Sequence, residues 1–201
     1  MKVEEMIEAV QRKLGVAVDG RAGPQTWGEI YQRIVGAPGP APAPAGINAV
    51  DVRSEKAIAT LLPEVRGYAR ALVHRAASHD IAVKIISGTR SYAEQNALYA
   101  RGRTEPGPIV TNARGGHSNH NFGIAFDIGV FEGSRYLGDS PKYQAVGLLG
   151  GELGLEWGGN WTDFVDRPHF QLRPAWAEGL SSRELLAELR TRTASHQPVY
   201  A

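Results

Sequence analysis

The sequence predicts an α+β protein: a small antiparallel sheet flanked by helices, with a small helical segment at the N-terminus. Three observations lead there. Helix-period patterns and short period-2 runs are mixed along the chain. The strand-like runs lack a crossover helix between every pair, which disfavours a doubly wound sheet. A tract alternating Pro with small residues sets the first segment apart from the rest.

In chain order, Val3, Met6, Ile7, Val10 and Leu14 recur at helical spacing, and Val18–Pro24 reads as a turn. Thr26–Ile34 is expected as a second helix with Trp27, Ile30, Tyr31 and Ile34 on one side. The run Ala37-Pro38-Gly39-Pro40-Ala41-Pro42-Ala43-Pro44-Ala45-Gly46 favours an extended spacer and cannot build a core. The predicted plan is therefore a helical segment 1–36, a linker 37–47 and a main domain 48–201. A segment of about 36 residues is marginal as an independent fold.

Beyond the linker, Ser54 is expected as a helix N-cap, and Pro63 suits the first turn of the next helix. Val65, Tyr68, Leu72 and Ala76 mark that helix's buried stripe. Ala82-Val83-Lys84-Ile85-Ile86 is a short β-branched strand ending at Ser87-Gly88-Thr89-Arg90. A helix over Tyr92–Ala100 follows, then a Gly- and Pro-containing loop from Arg101 to Gly116, long enough to suggest function. Tyr143–Leu153 reads as helix, and Ser181 opens a terminal helix with Glu184 in capping-box position.

Composition narrows the functional classes. The formal net charge is +1, which gives no general attraction to nucleic acid or anionic membrane. Cysteine is absent, which excludes disulfides, thiolate catalysis and Cys-type zinc sites. Any metal must be held by His and carboxylate. No apolar run approaches the ~20 residues of a membrane span, and the first residues lack the pattern of a secretory signal.

The chemistry concentrates in two clusters, His120–Asp127 and Asp166-Arg167-Pro168-His169. From Phe122 onward, Phe122, Ile124, Phe126, Ile128 and Val130 share one strand face. Gly123, Ala125, Asp127 and Gly129 share the other, where the small neighbours are expected to leave a trough for an extended peptide. His120 can curl back towards Asp127. Phe170 and Leu172 point to the core while His169 and Gln171 share the opposite face, so a neighbouring strand could bring His169 to the same point. Asp166 would sit just outside. Two imidazoles and one carboxylate leave a fourth zinc position open to water, and a spare carboxylate can accept that water's proton. Hydrogen-bonded structural histidines fit the same residues, and the pattern alone leaves both readings open.

Ser118-Asn119-His120-Asn121-Phe122-Gly123-Ile124-Ala125-Phe126-Asp127 resembles the Ser-x-His-x-x-Gly-x-Ala-x-Asp signature of the D-alanyl-D-alanine metallopeptidase family. Trp157-Gly158-Gly159-Asn160-Trp161 followed by Asp166-Arg167-Pro168-His169-Phe170 is similar to its second half, and Ser87-Gly88-Thr89-Arg90-Ser91 with Gln95 to its Ser-Gly-x-Arg-Ser element. The resemblance spans roughly residues 54 to 175 and is strongest to the L-alanyl-D-glutamate endopeptidase branch, which includes bacteriophage endolysins. It implies His120, Asp127 and His169 as ligands of a single Zn2+ per chain, Asp166 as general base and Arg90 as the holder of the oxyanion. The alternative for Arg90 is a surface pair with Glu94. Gln95 is expected to brace the Arg90 loop or touch substrate, and Ser118 to hydrogen-bond a ligand or the substrate backbone. His117 lies outside the signature, and Glu156 and Asp163 are rival carboxylates without the family's spacing to His169.

Val10–Val16 followed by Asp19-Gly20, Gly23-Pro24 and Thr26-Trp27 resembles an abbreviated peptidoglycan-binding repeat of cell-wall hydrolases. The resemblances together imply a zinc endopeptidase cutting the L-Ala–D-Glu bond of peptidoglycan stem peptides, and the chain is expected to be a monomer. A D-alanyl-D-alanine carboxypeptidase or dipeptidase, and a non-catalytic zinc-stabilised cell-wall-binding protein, are the alternatives. With no secretory signal, the expectation is a phage endolysin made in the host cytoplasm and released to the wall by a holin.

Overall fold

The computed structural model describes residues 2–23, 26–27, 29–30, 33, 46–162 and 164–201, and the chain forms two compact units, Met1–Gly39 and Pro40–Ala201. Most of the expected linker, Tyr31 and Ile34 of the expected second helix, and Asp163 lie outside the described residues.

In the first unit, α1 (Val3–Leu14) ends at Gly15, whose φ of 74° is the left-handed C-cap conformation. Arg33 donates to the freed carbonyls of Lys13 and Leu14 at 3.1 and 2.8 Å. The apolar spacing along α1 does not define its buried side: Val3, Met6 and Val10 are exposed, and the helix's buried residue is Gln11. Its carboxamide donates to Asp19 Oδ1, Arg21 O and Thr26 Oγ1 and accepts from the N–H groups of Asp19 and Gly20, at 2.7–3.1 Å. A polar hub thus shapes the turn that follows.

The second unit is the predicted α+β fold. Its elements are α2 (Val52–Ala59), α3 (Pro63–Ala77), β1 (Ala82–Ser87), α4 (Tyr92–Ala100), β2 (Ala125–Glu132), β3 (Arg135–Leu137), α5 (Lys142–Glu152), β4 (Glu156–Trp157), β5 (His169–Gln171) and α6 (Ser182–Ala194). Short 3-10 turns occupy Asn119–Phe122, Gly158–Asn160 and Ala175–Ala177. The sheet runs β1-β2-β5-β4 with β3 beside β2, and every pairing is antiparallel. Among the described residues no helix is long and apolar enough to cross a membrane.

Local chemistry explains the boundaries. Pro63 opens α3, whose Val65, Tyr68, Leu72 and Ala76 are buried. Ser91/Glu94 and Ser181/Glu184 form capping boxes. Ser54, expected as an N-cap, lies inside α2; Asp51 takes that role, accepting from the N–H groups of Arg53 and Ser54 at 3.1 Å. The Ser54 hydroxyl instead donates to Asp51 Oδ2 and accepts from Ile85 N at 2.9 Å, stitching α2 to the outer edge of β1.

The core is built on cross-strand rows. Phe126, Phe170 and Trp157 face one another on β2, β5 and β4 and stack, with ring centroids 5.9 and 6.4 Å apart. Burying each of these side chains is worth on the order of 2–3 kcal/mol. Helix α5 lies on that row through two glycines: a Cβ at Gly147 would fall 2.4 Å from the Trp157 ring, and one at Gly150 2.5 Å from the Phe170 ring. Phe122 departs from the expected strand. It sits in the 3-10 turn before β2 and packs with Ile124, Ala177, Leu185 and Leu189 in a second cluster beneath α6. The expected trough is also filled. A side chain at Gly123 would meet Leu62 and Thr89, and one at Gly129 would meet Phe131, Tyr136 and Ile86. Those small residues admit neighbouring side chains rather than an open groove.

Candidate metal centre

Strand register assembles the site. A bulge between Ile85 and Ser87 re-aims the end of β1, so that Ser87 pairs with Asp127, and Asp127 pairs with His169 on its other side. His120 enters from the adjoining 3-10 turn, which is zipped to the β1–α4 connection. Arg90 N donates to His120 O at 3.0 Å, and Asn121 Nδ2 donates to Arg90 O at 2.9 Å.

Three electron-rich atoms converge here. His120 is 2% exposed, and its Nδ1 lies 2.8 Å from Gly88 O, a group that can only accept. Nδ1 therefore carries the proton and Nε2 presents a bare lone pair. That Nε2 lies 3.1 Å from Asp127 Oδ1 and 3.2 Å from His169 Nδ1, while His169 Nδ1 is 3.4 Å from Asp127 Oδ1. Two ligand atoms on a tetrahedral zinc, each bonded at the usual length, stand about 3.3 Å apart. The donor set and its spacing fit Zn2+: His120 Nε2, Asp127 Oδ1 and His169 Nδ1 could hold it, and all three lie within 4.8 Å of one another.

Electrostatics point the same way. Burial alone would push the Asp127 carboxyl up, but the charge and hydrogen bonds of His120 and His169 hold it well below the usual carboxylate range. Burial lowers His120, and Asp127 offsets this only in part. For His169 burial also acts downward, yet the Asp127 bond and charge, with Gln171 and Asp166, outweigh it and raise the imidazole. The buried Asp127 carboxylate calls for a cationic neighbour, which a proton on His169 or a metal ion would provide.

Asp166 belongs to this field without belonging to the ligand set. Burial pushes its carboxyl up, Asp127 adds to that, and His169, His120 and Arg90 oppose it. Its side chain has no hydrogen bond or ion pair among the described residues, and a raised carboxylate is a better proton acceptor. The loop carrying it is clasped by Gly158 O, which accepts from Asp166 N at 3.0 Å.

Arg90 does not pair with Glu94, which caps α4. Its guanidinium donates to Asp127 Oδ2, to Ser87 Oγ at 3.1 Å and to Gln95 Oε1 at 3.3 Å. Gln95 is fully buried and spends its amide on Thr111 Oγ1 and Ala113 O, so it braces the Arg90 loop and the end of the 101–116 loop. That leaves it no surface for a substrate. The half-buried Ser118 begins the His120 turn, and its hydroxyl has no partner among the described residues. His117 is exposed and outside the cluster. Glu156 lies on the far side of His169, behind Gln171.

Two site residues, Gln171 and Asn119, were not assigned roles from the sequence. Gln171 Oε1 is 3.0 Å from His169 Nε2 and also accepts from Asn119 Nδ2, while Asn119 Oδ1 is buried without a partner among the described residues. The alternation that puts Gln171 on the His169 face was the available signal. The Trp161 indole packs against the His169 ring, centroids 4.9 Å apart.

Comparison with known proteins places the chain in a family. The D-alanyl-D-alanine carboxypeptidase family profile matches residues 111–172. Over 126 residues the chain is 40% identical to the peptidoglycan L-alanyl-D-glutamate endopeptidase CwlK of Bacillus subtilis, covering 57% of this chain and 74% of that protein. The crystal structure of the L-Ala D-Glu endopeptidase ChiX of Serratia marcescens aligns with a TM-score of 0.47 and 23% identity, covering 64% of this chain and 92% of that one. At 40% identity across most of such a relative, the chain belongs to the D-alanyl-D-alanine carboxypeptidase family of metallopeptidases.

Proposed function

We propose that the protein is a zinc-dependent endopeptidase hydrolysing the L-Ala–D-Glu bond of peptidoglycan stem peptides. The observation that carries this reading is the convergence of His120 Nε2, Asp127 Oδ1 and His169 Nδ1 at zinc-ligand spacing, beside an unengaged carboxylate with a raised pKa. Similarity to the Bacillus endopeptidase supports the choice of bond.

Zinc held by those three atoms supplies Lewis-acid polarisation of the scissile carbonyl and a more acidic water. Asp166 takes the proton of the attacking water as the new C–O bond forms and then delivers it to the departing amine of D-Glu, so that the tetrahedral adduct collapses with cleavage of the amide C–N bond. Arg90 steadies Asp127 through Oδ2, and its remaining N–H groups are free to meet the developing oxyanion, a contact worth about 3 kcal/mol. Gln95 positions Arg90, and Ser118 is proposed to meet the substrate backbone.

Digestion of purified sacculi followed by mass spectrometry tests the reading. New N-terminal D-Glu, abolished by chelator and restored by zinc, is expected; intact stems would reject it. The carboxypeptidase reading is favoured by the description of the matching family and would release free D-Ala instead. We further propose that residues 1–36 bind the wall and that the biological setting is phage lysis with holin-assisted release, in keeping with the endolysins in the endopeptidase branch. Co-sedimentation of the chain with sacculi and lysis of cells co-expressing a holin are the corresponding tests.

A further inference from the structure

Glu156, which the sequence offered only as a rival base, is tied into the metal centre from behind. In the sheet register Glu156 pairs with Gln171, on the side of β5 opposite Ala125. Its Oε2 accepts from Gln171 Nε2 at 2.8 Å and from Arg173 Nη1 at 3.3 Å, and its Oε1 from Trp161 Nε1 at 2.9 Å. Arg173 is anchored in turn by the carbonyls of Ala177 and Leu180.

We propose that Glu156 is a positioning residue for the metal centre: through the Gln171 carboxamide it selects the His169 tautomer that leaves Nδ1 bare, and it holds the Trp161 indole against the same ring. The inference rests on the metallopeptidase reading above. A glutamine carboxamide has nearly the same shape in either orientation, so its partners decide which end points where. A carboxylate only accepts, so the Gln171 NH2 must face Glu156 and its carbonyl must face His169 Nε2, 3.0 Å away. A carbonyl also only accepts, so Nε2 carries the ring proton and Nδ1 is left for Asp127, His120 and a cation. With Gln171 reversed, its NH2 would favour a bare Nε2 and a proton on Nδ1, pointing between the other two ligands and blocking the metal. His120 reaches the equivalent outcome through a backbone carbonyl; His169 depends on a chain of side chains. Gln171 is 1% exposed, so water cannot substitute for Glu156 at its amide.

The test uses the full chain and two readouts, the His169 tautomer from imidazole 15N–1H correlations of metal-free protein at alkaline pH, and Zn2+ affinity by chelator competition. Wild type is expected to show the Nε2–H form. Glu156→Gln should give a mixture of tautomers and weaken zinc about 10–100-fold, the usual cost of losing such a supporting contact. Glu156→Gln combined with Gln171→Glu places an obligate acceptor directly on Nε2 and should restore both tautomer and affinity, which a merely structural role would not do. An Nδ1–H form in wild type, or Glu156→Gln with an unchanged tautomer and affinity within about twofold, would overturn the proposal. If Glu156→Gln does not fold, the wild-type tautomer and the double variant still decide. Wild type binding zinc no more tightly than His120→Ala would defeat the metal reading instead, with the tautomer result standing apart from it.

Discussion

Gly158→Ala probes the geometry between general base and metal without replacing the base or any metal-holding residue. Gly158 starts the 3-10 turn after β4, and its carbonyl accepts from both Trp161 N and Asp166 N, at 3.2 and 3.0 Å. Its φ lies outside the left-handed region, so the effect of a methyl is purely steric. An added Cβ would stand 2.6 Å from Asp166 O, 3.0 Å from His169 Cβ and 3.2 Å from Asp166 Cβ. The first distance falls about 0.8 Å short of ordinary contact, and the atom it meets is backbone, so the Asp166 loop must move. His169 needs to yield only a few tenths of an ångström. A displacement approaching 1 Å in a catalytic group costs about 100-fold in rate, equivalent to about 2.7 kcal/mol of transition-state stabilisation. The expected result is a fall in kcat/KM of about 30- to 100-fold on a soluble L-Ala–D-Glu stem peptide, with zinc affinity reduced less than about tenfold. Steady-state kinetics on zinc-loaded protein, with competition titration for the metal, measures both. Activity within about threefold of wild type in a folded, zinc-loaded variant would refute the reasoning, because the Asp166–His169 relation would then not govern hydrolysis.

Three further outcomes are expected. Asp166→Ala retains stoichiometric zinc but loses about 100- to 10,000-fold in kcat, the range for removal of a general base; unchanged turnover would take Asp166 out of the reaction. Zinc affinity, followed by chelator competition, rises with pH. His169 is raised above the ordinary imidazole value by Asp127 once burial is outweighed, so its proton competes with the metal below that raised pKa. Affinity should climb by about tenfold per pH unit there and flatten above it; a flat profile across the imidazole range contradicts this. Gly147→Ala drives a methyl into the Trp157 ring, 2.4 Å away, and should cost about 1–3 kcal/mol, seen as a lower Tm by thermal unfolding.

The α+β architecture was legible because helix and strand periods differ and because the markers of element ends, Pro63 and Ser181/Glu184, act locally. The grouping of Asp127 and His169 was legible because alternation on short strands puts each on the face away from the apolar row, whereas His120 reaches them from the 3-10 turn that precedes β2. Contacts that depend on register were less visible. Ala125 and Gly129 read as the floor of a groove, but small residues in a sheet equally mark where neighbours crowd in, as Phe131 and Tyr136 do over Gly129. Ser54 had the right side chain for a cap and lost the position to Asp51, whose carboxylate serves two N–H groups at once. The apolar spacing in α1 concealed that Gln11 organises the unit, because a carboxamide hub leaves no periodic trace. Glu156 and Gln171 gain their roles only when β4 is laid beside β5, a pairing that neither motif encodes alone.

The most direct measurement is zinc-edge anomalous diffraction from crystals grown with Zn2+. One peak is expected, within about 2.0–2.2 Å of His120 Nε2, Asp127 Oδ1 and His169 Nδ1, with the Asp166 carboxylate beyond bonding distance. No peak at that position, or ligation of His169 through Nε2, would contradict the central claim.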